Sequence, residues 1–122
     1  MPVYASTDAD RFEAHGSRFI SFVRTDREAS SLCAWRLEVT PGLAGVAPTP
    51  SHEEVILVLS GQRRVTLDGV AQDAAGGDVV HVPAGVEPTV DGGPEGATAW
   101  VTTTPGLNAR LNGEIIAPPW AQ

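Results

Sequence analysis

The 122-residue chain contains no lysine, and all eight of its basic residues are arginines. Schiff-base chemistry through a lysine amine is therefore excluded, and any anion held by a side chain would be held by arginine or histidine. Fifteen acidic residues outnumber the bases and give a net charge of −7. This balance argues against a nucleic-acid partner or an anionic membrane surface, because both require a basic patch.

Cysteine and long apolar segments are also scarce. Cys33 is the only cysteine, so an internal disulfide and a thiolate metal cluster are excluded, and its apolar flanks indicate a core position. The longest aliphatic run, Val55 to Leu59, is too short to span a bilayer. The first residues, Met1 to Ala5, have neither a basic start nor an apolar core. No signal peptide is recognised there, and we expect a cytoplasmic protein.

Glycine and proline, by contrast, are abundant, with 13 and 10 residues. They separate short runs rich in Val, Thr, Ile and Trp, and no stretch keeps a helical period over about three turns. Asp68-Gly69 lies between two such runs and predicts a β-hairpin. The pattern predicts one all-β domain over residues 1–122, with an N-terminal strand at about 17–24. The Pro-rich tail, 105–122, is expected to pack on the domain or on a partner chain.

Two spaced patterns run through the middle of the chain, each beginning at a glycine. Their fixed positions are Gly42, Glu54, Gly61, Gly77, Pro83 and Gly85. With a hairpin between them, these patterns resemble the two motifs of the cupin superfamily over about residues 30–104. The resemblance implies a jelly-roll β-barrel with a central cavity. The tail resembles that of small single-domain cupins from bacterial polyketide and other secondary-metabolite pathways.

The chain departs from the family at its metal ligands. The family's three metal-binding histidines fall on Pro48, Pro50 and Pro88, and its asparagine falls on Gly92. Proline offers no donor atom, so only Glu54 remains of the usual ligand set, and one carboxylate does not hold a first-row metal. We therefore predict no metal at the usual place and no other cofactor. A rebuilt site of His52, Glu54 and His81 is the alternative.

Glu54 is the first candidate catalytic residue. Strand alternation places it in the cavity among Ile56 and Val58, where lost hydration would raise its pKa and suit it to acid–base work. His52 lies two residues earlier and is expected to share that face as its proton partner. His81 is a third catalytic candidate, although alternation alone does not decide which face of its strand points inward. The structural alternative pairs Glu54 with an arginine.

Two tryptophans and one arginine are candidate substrate-binding residues, together with Ile56 and Val58. Trp35 and Trp100 each lie in a predicted strand, and their rings would wall a cavity for a flat ligand. Each ring would equally suit a core or a dimer interface. Arg64 would pair with a carboxylate or enolate if its side chain pointed inward.

These residues leave several functions open. The first is a metal-free enzyme, an isomerase, cyclase or dehydratase (lyase) acting on a small molecule such as a polyketide-like intermediate. The second is a non-catalytic barrel that binds a small ligand, and the third is a metal-dependent dioxygenase with rewired ligands. We also predict a two-fold homodimer, because one face of Val55 to Leu59 needs cover, with sheet edges shared through the strand Arg18 to Val23.

Overall fold

Strands dominate the computed structural model, which describes residues 3–27 and 31–122. Twelve strands and three short 3₁₀ helices occur in these residues, with no α-helix among them. The strands are β1 Asp10–Ala14, β2 Ser17–Val23, β3 Cys33–Val39, β4 Ala44–Val46, β5 Thr49–Pro50, β6 Glu54–Leu67, β7 Val70–Ala75, β8 Val79–Val82, β9 Thr89–Asp91, β10 Ala97–Thr103, β11 Ala109–Leu111 and β12 Glu114–Ile116. The 3₁₀ helices are Ser6–Asp8, Thr25–Arg27 and Pro119–Ala121. The all-β prediction is confirmed.

Every strand pair is antiparallel, and the strands form two sheets. The larger sheet follows the order β1-β2-β3-β10-β6-β9-β4, and β7 and β8 also pair with β6. The smaller sheet has the order β12-β11-β5. Strand β2 lies between β1 and β3, so it has no free edge to share with a second chain, contrary to the mode of pairing expected from the sequence.

The longest strand, β6, joins two apolar runs that the sequence separates. Its first half pairs with β8 and β10, and its second half pairs with β7 and β9. A β-bulge lies between these halves, because Thr98 opposes Ser60 whereas Ala99 opposes Val58. The extra residue at this point exchanges the inner and outer faces for the rest of the strand.

Glycine is required just beyond the bulge. Gly61 has φ +78°, and a Cβ at this position would lie 2.2 Å from the carbonyl oxygen of Gly96. The next turn is the predicted hairpin, and Asp68 and Gly69 both have positive φ as a two-residue type I′ turn requires. Leu67 pairs with Val70 across it, which confirms the hairpin.

The inner faces of β3 and β10 supply most of the core, and the C-terminal tail closes one side. Trp120 stacks on Phe19 with ring centroids 4.0 Å apart and also contacts Phe12. Ala121 is fully buried, and its carbonyl accepts hydrogen bonds from the backbone N–H groups of Gly106 and Leu107. No helix in the described part of the chain is long and apolar enough to cross a membrane.

Candidate active site

The interior of the barrel holds a cavity of about 180 Å³ with mainly apolar walls. Apolar side chains from β2, β3, β6, β10 and the tail form these walls. They include Phe19, Trp35, Leu37, Ile56, Val101 and Trp120. Three ionisable side chains of the described residues line the cavity: His15 in the exposed β1–β2 turn, and Glu54 and Arg63 in β6.

Glu54 is the acidic group of this cavity. It begins β6, opposite the buried Val82 of β8, and its inward neighbour along the strand is Ile56. Burial among apolar side chains penalises the charged form and raises the pKa of Glu54 to about 7, while the positive charge of Arg63 opposes part of that rise. The carboxyl group therefore exchanges a proton near neutral pH, as a general acid or base must.

Arg63 is the functional candidate that the sequence analysis missed. Its side chain is 5% exposed, and its Nε and Nη1 atoms are buried with no hydrogen-bond partner in the described chain. Desolvation lowers the pKa of this guanidinium, and the charge of Glu54 opposes that change. Arginine remains charged in proteins, so the cavity holds a buried cation. The sequence did contain a signal for Arg63. Val65 and Leu67 are apolar at alternate positions, and Arg63, two residues before Val65, lies on the same face of the strand.

Arg64, the substrate-binding candidate if its side chain pointed inward, lies instead on the outer face of β6. Its guanidinium forms a two-point ion pair with Asp73 of β7, with distances of 2.8 Å from Nε to Oδ1 and 3.3 Å from Nη2 to Oδ2. This pairing raises the pKa of Arg64 and lowers the pKa of Asp73. The bulge in β6 explains why Arg63 points inward and Arg64 points outward. Without the bulge, alternation counted from Glu54 would turn Arg64 inward.

His52 does not join Glu54 in the cavity. It precedes β6 in an irregular segment, where strand alternation does not apply. Its Nδ1 lies 2.9 Å from the hydroxyl of Thr104 and 3.2 Å from the carbonyl oxygen of the same residue. His52 therefore connects the start of β6 by hydrogen bonding to the segment that follows β10.

His81 lies on the outer face of β8, opposite the exposed Val55. Its Nε2 is 2.7 Å from a carboxylate oxygen of Glu53, and both side chains are largely exposed. Val82, its neighbour on the strand, takes the inward position. The geometry places His81 in a surface hydrogen bond with Glu53, away from the cavity.

The predicted wall residues divide between the two faces of the sheet. Trp35 and Ile56 line the cavity, whereas Val58 is fully buried in the interior but does not line it. Trp100 lies on the outer face of β10, where its ring contacts Phe22 with centroids 5.5 Å apart. It is therefore outside the site.

The donor set in the cavity does not fit a metal ion. Pro48, Pro50 and Pro88, where the sequence resemblance would place metal-binding histidines, all line the cavity and present hydrocarbon rings to it. Within residues 3–27 and 31–122, no three His, Cys, Asp or Glu side chains come together as metal ligands would. The rebuilt site of His52, Glu54 and His81 is not assembled, because both imidazoles lie outside the cavity.

Comparison with known proteins identifies the architecture. The family described as Cupin domain matches residues 35–91. No curated protein matches the chain. Among solved structures, an RmlC-like cupin from Shewanella frigidimarina is 22% identical with a TM-score of 0.69, over 84% of this chain and 88% of its own.

Two further solved structures extend the comparison. A variant of Streptomyces PAC13, determined with uridine, is 18% identical with a TM-score of 0.71, over 100% of this chain and 93% of its own. A variant of Bacillus subtilis oxalate decarboxylase is 18% identical with a TM-score of 0.71, over 83% of this chain but 28% of its own. At these identities the structural likeness establishes the fold, and function must be argued from the site.

Proposed function

Because this chain carries a cupin domain whose cavity is lined by Glu54 and Arg63, we propose that it is a metal-independent enzyme that moves a proton on a small organic molecule. This proposal rests on one observation: a carboxyl group and a guanidinium group line the same small apolar cavity. As a carboxylate, Glu54 removes a proton from the substrate, and as a carboxylic acid it returns that proton to another atom. Arg63 stabilises the oxyanion that forms between the two transfers.

This cycle accounts for a limited group of reactions. Return of the proton to a different carbon is an isomerisation, and its delivery to a departing hydroxyl is a dehydration. Proton transfer that exposes a nucleophile to a second part of the same substrate is a cyclisation, for which the cavity walls hold the reacting conformation. Among the described residues, no three His, Cys, Asp or Glu side chains are grouped as metal ligands, and no cysteine lines the cavity, which supports proton transfer as the chemistry of this site.

We further propose that the enzyme acts in a biosynthetic pathway. Small size and the resemblance of the tail support a role in secondary metabolism, with a polyketide-like intermediate as the substrate. PAC13, which matches over nearly its whole length, was determined with uridine. A one-domain cupin that accommodates a small organic molecule is therefore compatible with the architecture of this chain.

Exchange of substrate protons with solvent tests the catalytic proposal without knowledge of the product. The purified protein is incubated in deuterium oxide with a panel of small ketones, keto acids and hydroxy aldehydes, and deuterium incorporation is followed by NMR. We expect exchange in the wild type, loss of exchange in Glu54→Gln, and wild-type exchange in Glu53→Gln, whose carboxylate lies on the surface. Unchanged exchange in Glu54→Gln would contradict the proposal. Ligand binding without exchange would favour the alternative of a non-catalytic binding barrel.

We also propose a homodimer formed through the outer face of β6 and β8. Leu57 is 36% exposed, and its partner across the strands, Val79, is 61% exposed. Exposed apolar side chains that are neighbours in a sheet are typical of a covered interface. Sedimentation should give a dimer for the wild type and a monomer for Val79→Glu. Val70→Glu is the matched control, because Val70 is 58% exposed but lies in β7.

A further inference from the structure

Two groups in the wall of the cavity have hydrogens to donate and no acceptor to receive them. Arg63 has Nε and Nη1 buried without a partner, and the indole Nε1 of Trp35 is likewise buried and unpaired in the described chain. Both residues line the cavity, at 5% and 2% exposure. Neither side chain accepts hydrogen bonds. A buried, unpaired cation is costly, so the complement of this wall is an acceptor that carries negative charge.

Glu54 does not fully supply that acceptor. With its pKa raised to about 7, Glu54 is present in both the neutral and the charged form near neutral pH. In the protonated form it is itself a donor, facing the same space as Arg63. Arg63, the Trp35 indole and neutral Glu54 all donate hydrogen bonds, so together they favour a ligand with a single negative charge. That charge balances the charge of Arg63 when Glu54 is neutral. A phosphate dianion would leave an excess negative charge, because Arg63 is the only arginine or lysine among the lining residues.

The volume of the cavity limits the rest of the ligand. It measures about 180 Å³, and an apolar protein cavity of about 150 Å³ accommodates one benzene ring. The surrounding surface is hydrocarbon and aromatic, including the rings of Pro48, Pro50 and Pro88. The ligand body is therefore compact and apolar, with the size of one ring or a short branched chain.

We infer that the cavity takes a small monocarboxylic acid with a compact apolar body, whose carboxylate pairs with Arg63 beside protonated Glu54. The inference rests on the proposed function in assigning the substrate to this cavity, and it names the chemical class of that substrate. It also predicts linked protonation, because a bound carboxylate next to Glu54 favours the neutral form of that side chain. The ionisable groups facing the ligand are His15, Glu54 and Arg63.

Calorimetric titration with benzoate tests the inference, with benzamide and inorganic phosphate as comparison probes. Benzamide has the same ring but no charge, and phosphate has charge but no apolar body. We expect benzoate to bind, and benzamide and phosphate to bind at least about tenfold more weakly. No benzoate binding, or equal binding of benzoate and benzamide, would overturn the inference. Phosphate binding as tight as that of benzoate would overturn the assignment of a carboxylate with an apolar body.

Variants locate the interaction. Arg63→Met keeps a long apolar side chain and removes the charge, and it should weaken benzoate binding about 10- to 100-fold. Arg64→Met, which changes the neighbouring surface arginine, should leave binding unchanged. Undiminished affinity in a folded Arg63→Met protein would refute the role of Arg63. If that variant does not fold, NMR of the wild type decides, since benzoate must shift the methyl signals of Ile56 and Val101 in the cavity wall.

The pH dependence provides an independent measurement and separates the two proposals. Benzoate affinity should fall up to about tenfold per pH unit above about pH 7 in the wild type and in Glu53→Gln, which changes a surface carboxylate outside the cavity. In Glu54→Gln this dependence should disappear while binding persists. A pH-dependent affinity in Glu54→Gln would overturn the linkage. Benzoate binding without proton exchange on any substrate would remove the proposed catalysis and leave the carboxylate site standing, whereas exchange without benzoate binding would do the reverse.

Discussion

Burial of Glu54 makes the stability of the protein depend on pH in a direction opposite to that of an ordinary ion-paired acid. The carboxyl pKa is 4.5 ordinarily and about 7 in the folded protein. The folded state therefore binds the proton more tightly, and the stability linked to this proton is present in full below the ordinary pKa. It is lost as the pH rises through the folded value, and the whole shift corresponds to about 3 kcal/mol at about 1.4 kcal/mol per unit.

Comparison of wild type with Glu54→Gln isolates this effect, because glutamine does not titrate. Between about pH 5 and about pH 8, the wild-type free energy of unfolding should fall by about 2.5 kcal/mol relative to that of the variant. Urea denaturation at several pH values measures the difference, which corresponds to a relative midpoint shift of about 1 M. The comparison uses the change with pH, so a constant offset from removing the carboxylate whose charge acts on Arg63 does not affect it.

Glu53→Gln is the matched control, because Glu53 is the adjacent carboxylate and lies on the surface. It should retain the wild-type difference that comes from Glu54. Parallel stability curves for wild type and Glu54→Gln across this pH range would refute the reasoning, since they would mean that the proton affinity of Glu54 does not change on folding.

Three further outcomes follow from the fold and the donor set. Gly61→Ala should destabilise the protein by about 3 kcal/mol or more in urea denaturation, because its Cβ would meet the oxygen of Gly96, whereas Gly69→Ala, with the same φ of +78° and open space, should cost about 1 kcal/mol. Trp120→Ala should lower the free energy of unfolding by about 3 to 5 kcal/mol, because the indole stacks on Phe19 in the core. Mass spectrometry of untagged protein grown with added metals should find much less than one metal per chain, and a full equivalent of metal that survives dialysis would contradict the assignment.

The architecture could be predicted from the sequence because its signals are local. Short β-branched runs between glycines and prolines indicate strands, and Asp68-Gly69 encodes its own turn through two residues that tolerate positive φ. The inward placement of Glu54 and Ile56 follows from simple alternation at the start of β6. These assignments depend on residues a few positions apart, and nothing between them interrupts the period.

The identity of the buried arginine could not be predicted in this way. A single inserted residue near Leu59 reverses every later side chain of β6, and the sequence marks it only indirectly, by Gly61 inside the strand and by the apolar positions Val65 and Leu67. Its position is decided by pairing with β10, which comes from a distant part of the chain. The predicted placement of His52 beside Glu54 was wrong for a related reason. The direction of its side chain depends on where β6 begins, and strand ends are set by tertiary contacts such as the one between His52 and Thr104.

The positions of the tryptophans make the intrinsic fluorescence of this protein a reporter of ligand binding. Two of its three tryptophans, Trp35 and Trp120, lie in the wall of the cavity, and the third, Trp100, lies on the opposite face of the sheet. A ligand that enters the barrel contacts the first pair and leaves the third in place. Trp100→Phe would remove the constant background, so that the remaining indole fluorescence comes from the two tryptophans of the cavity wall. Unlabelled compounds could then be screened directly by the emission of the protein.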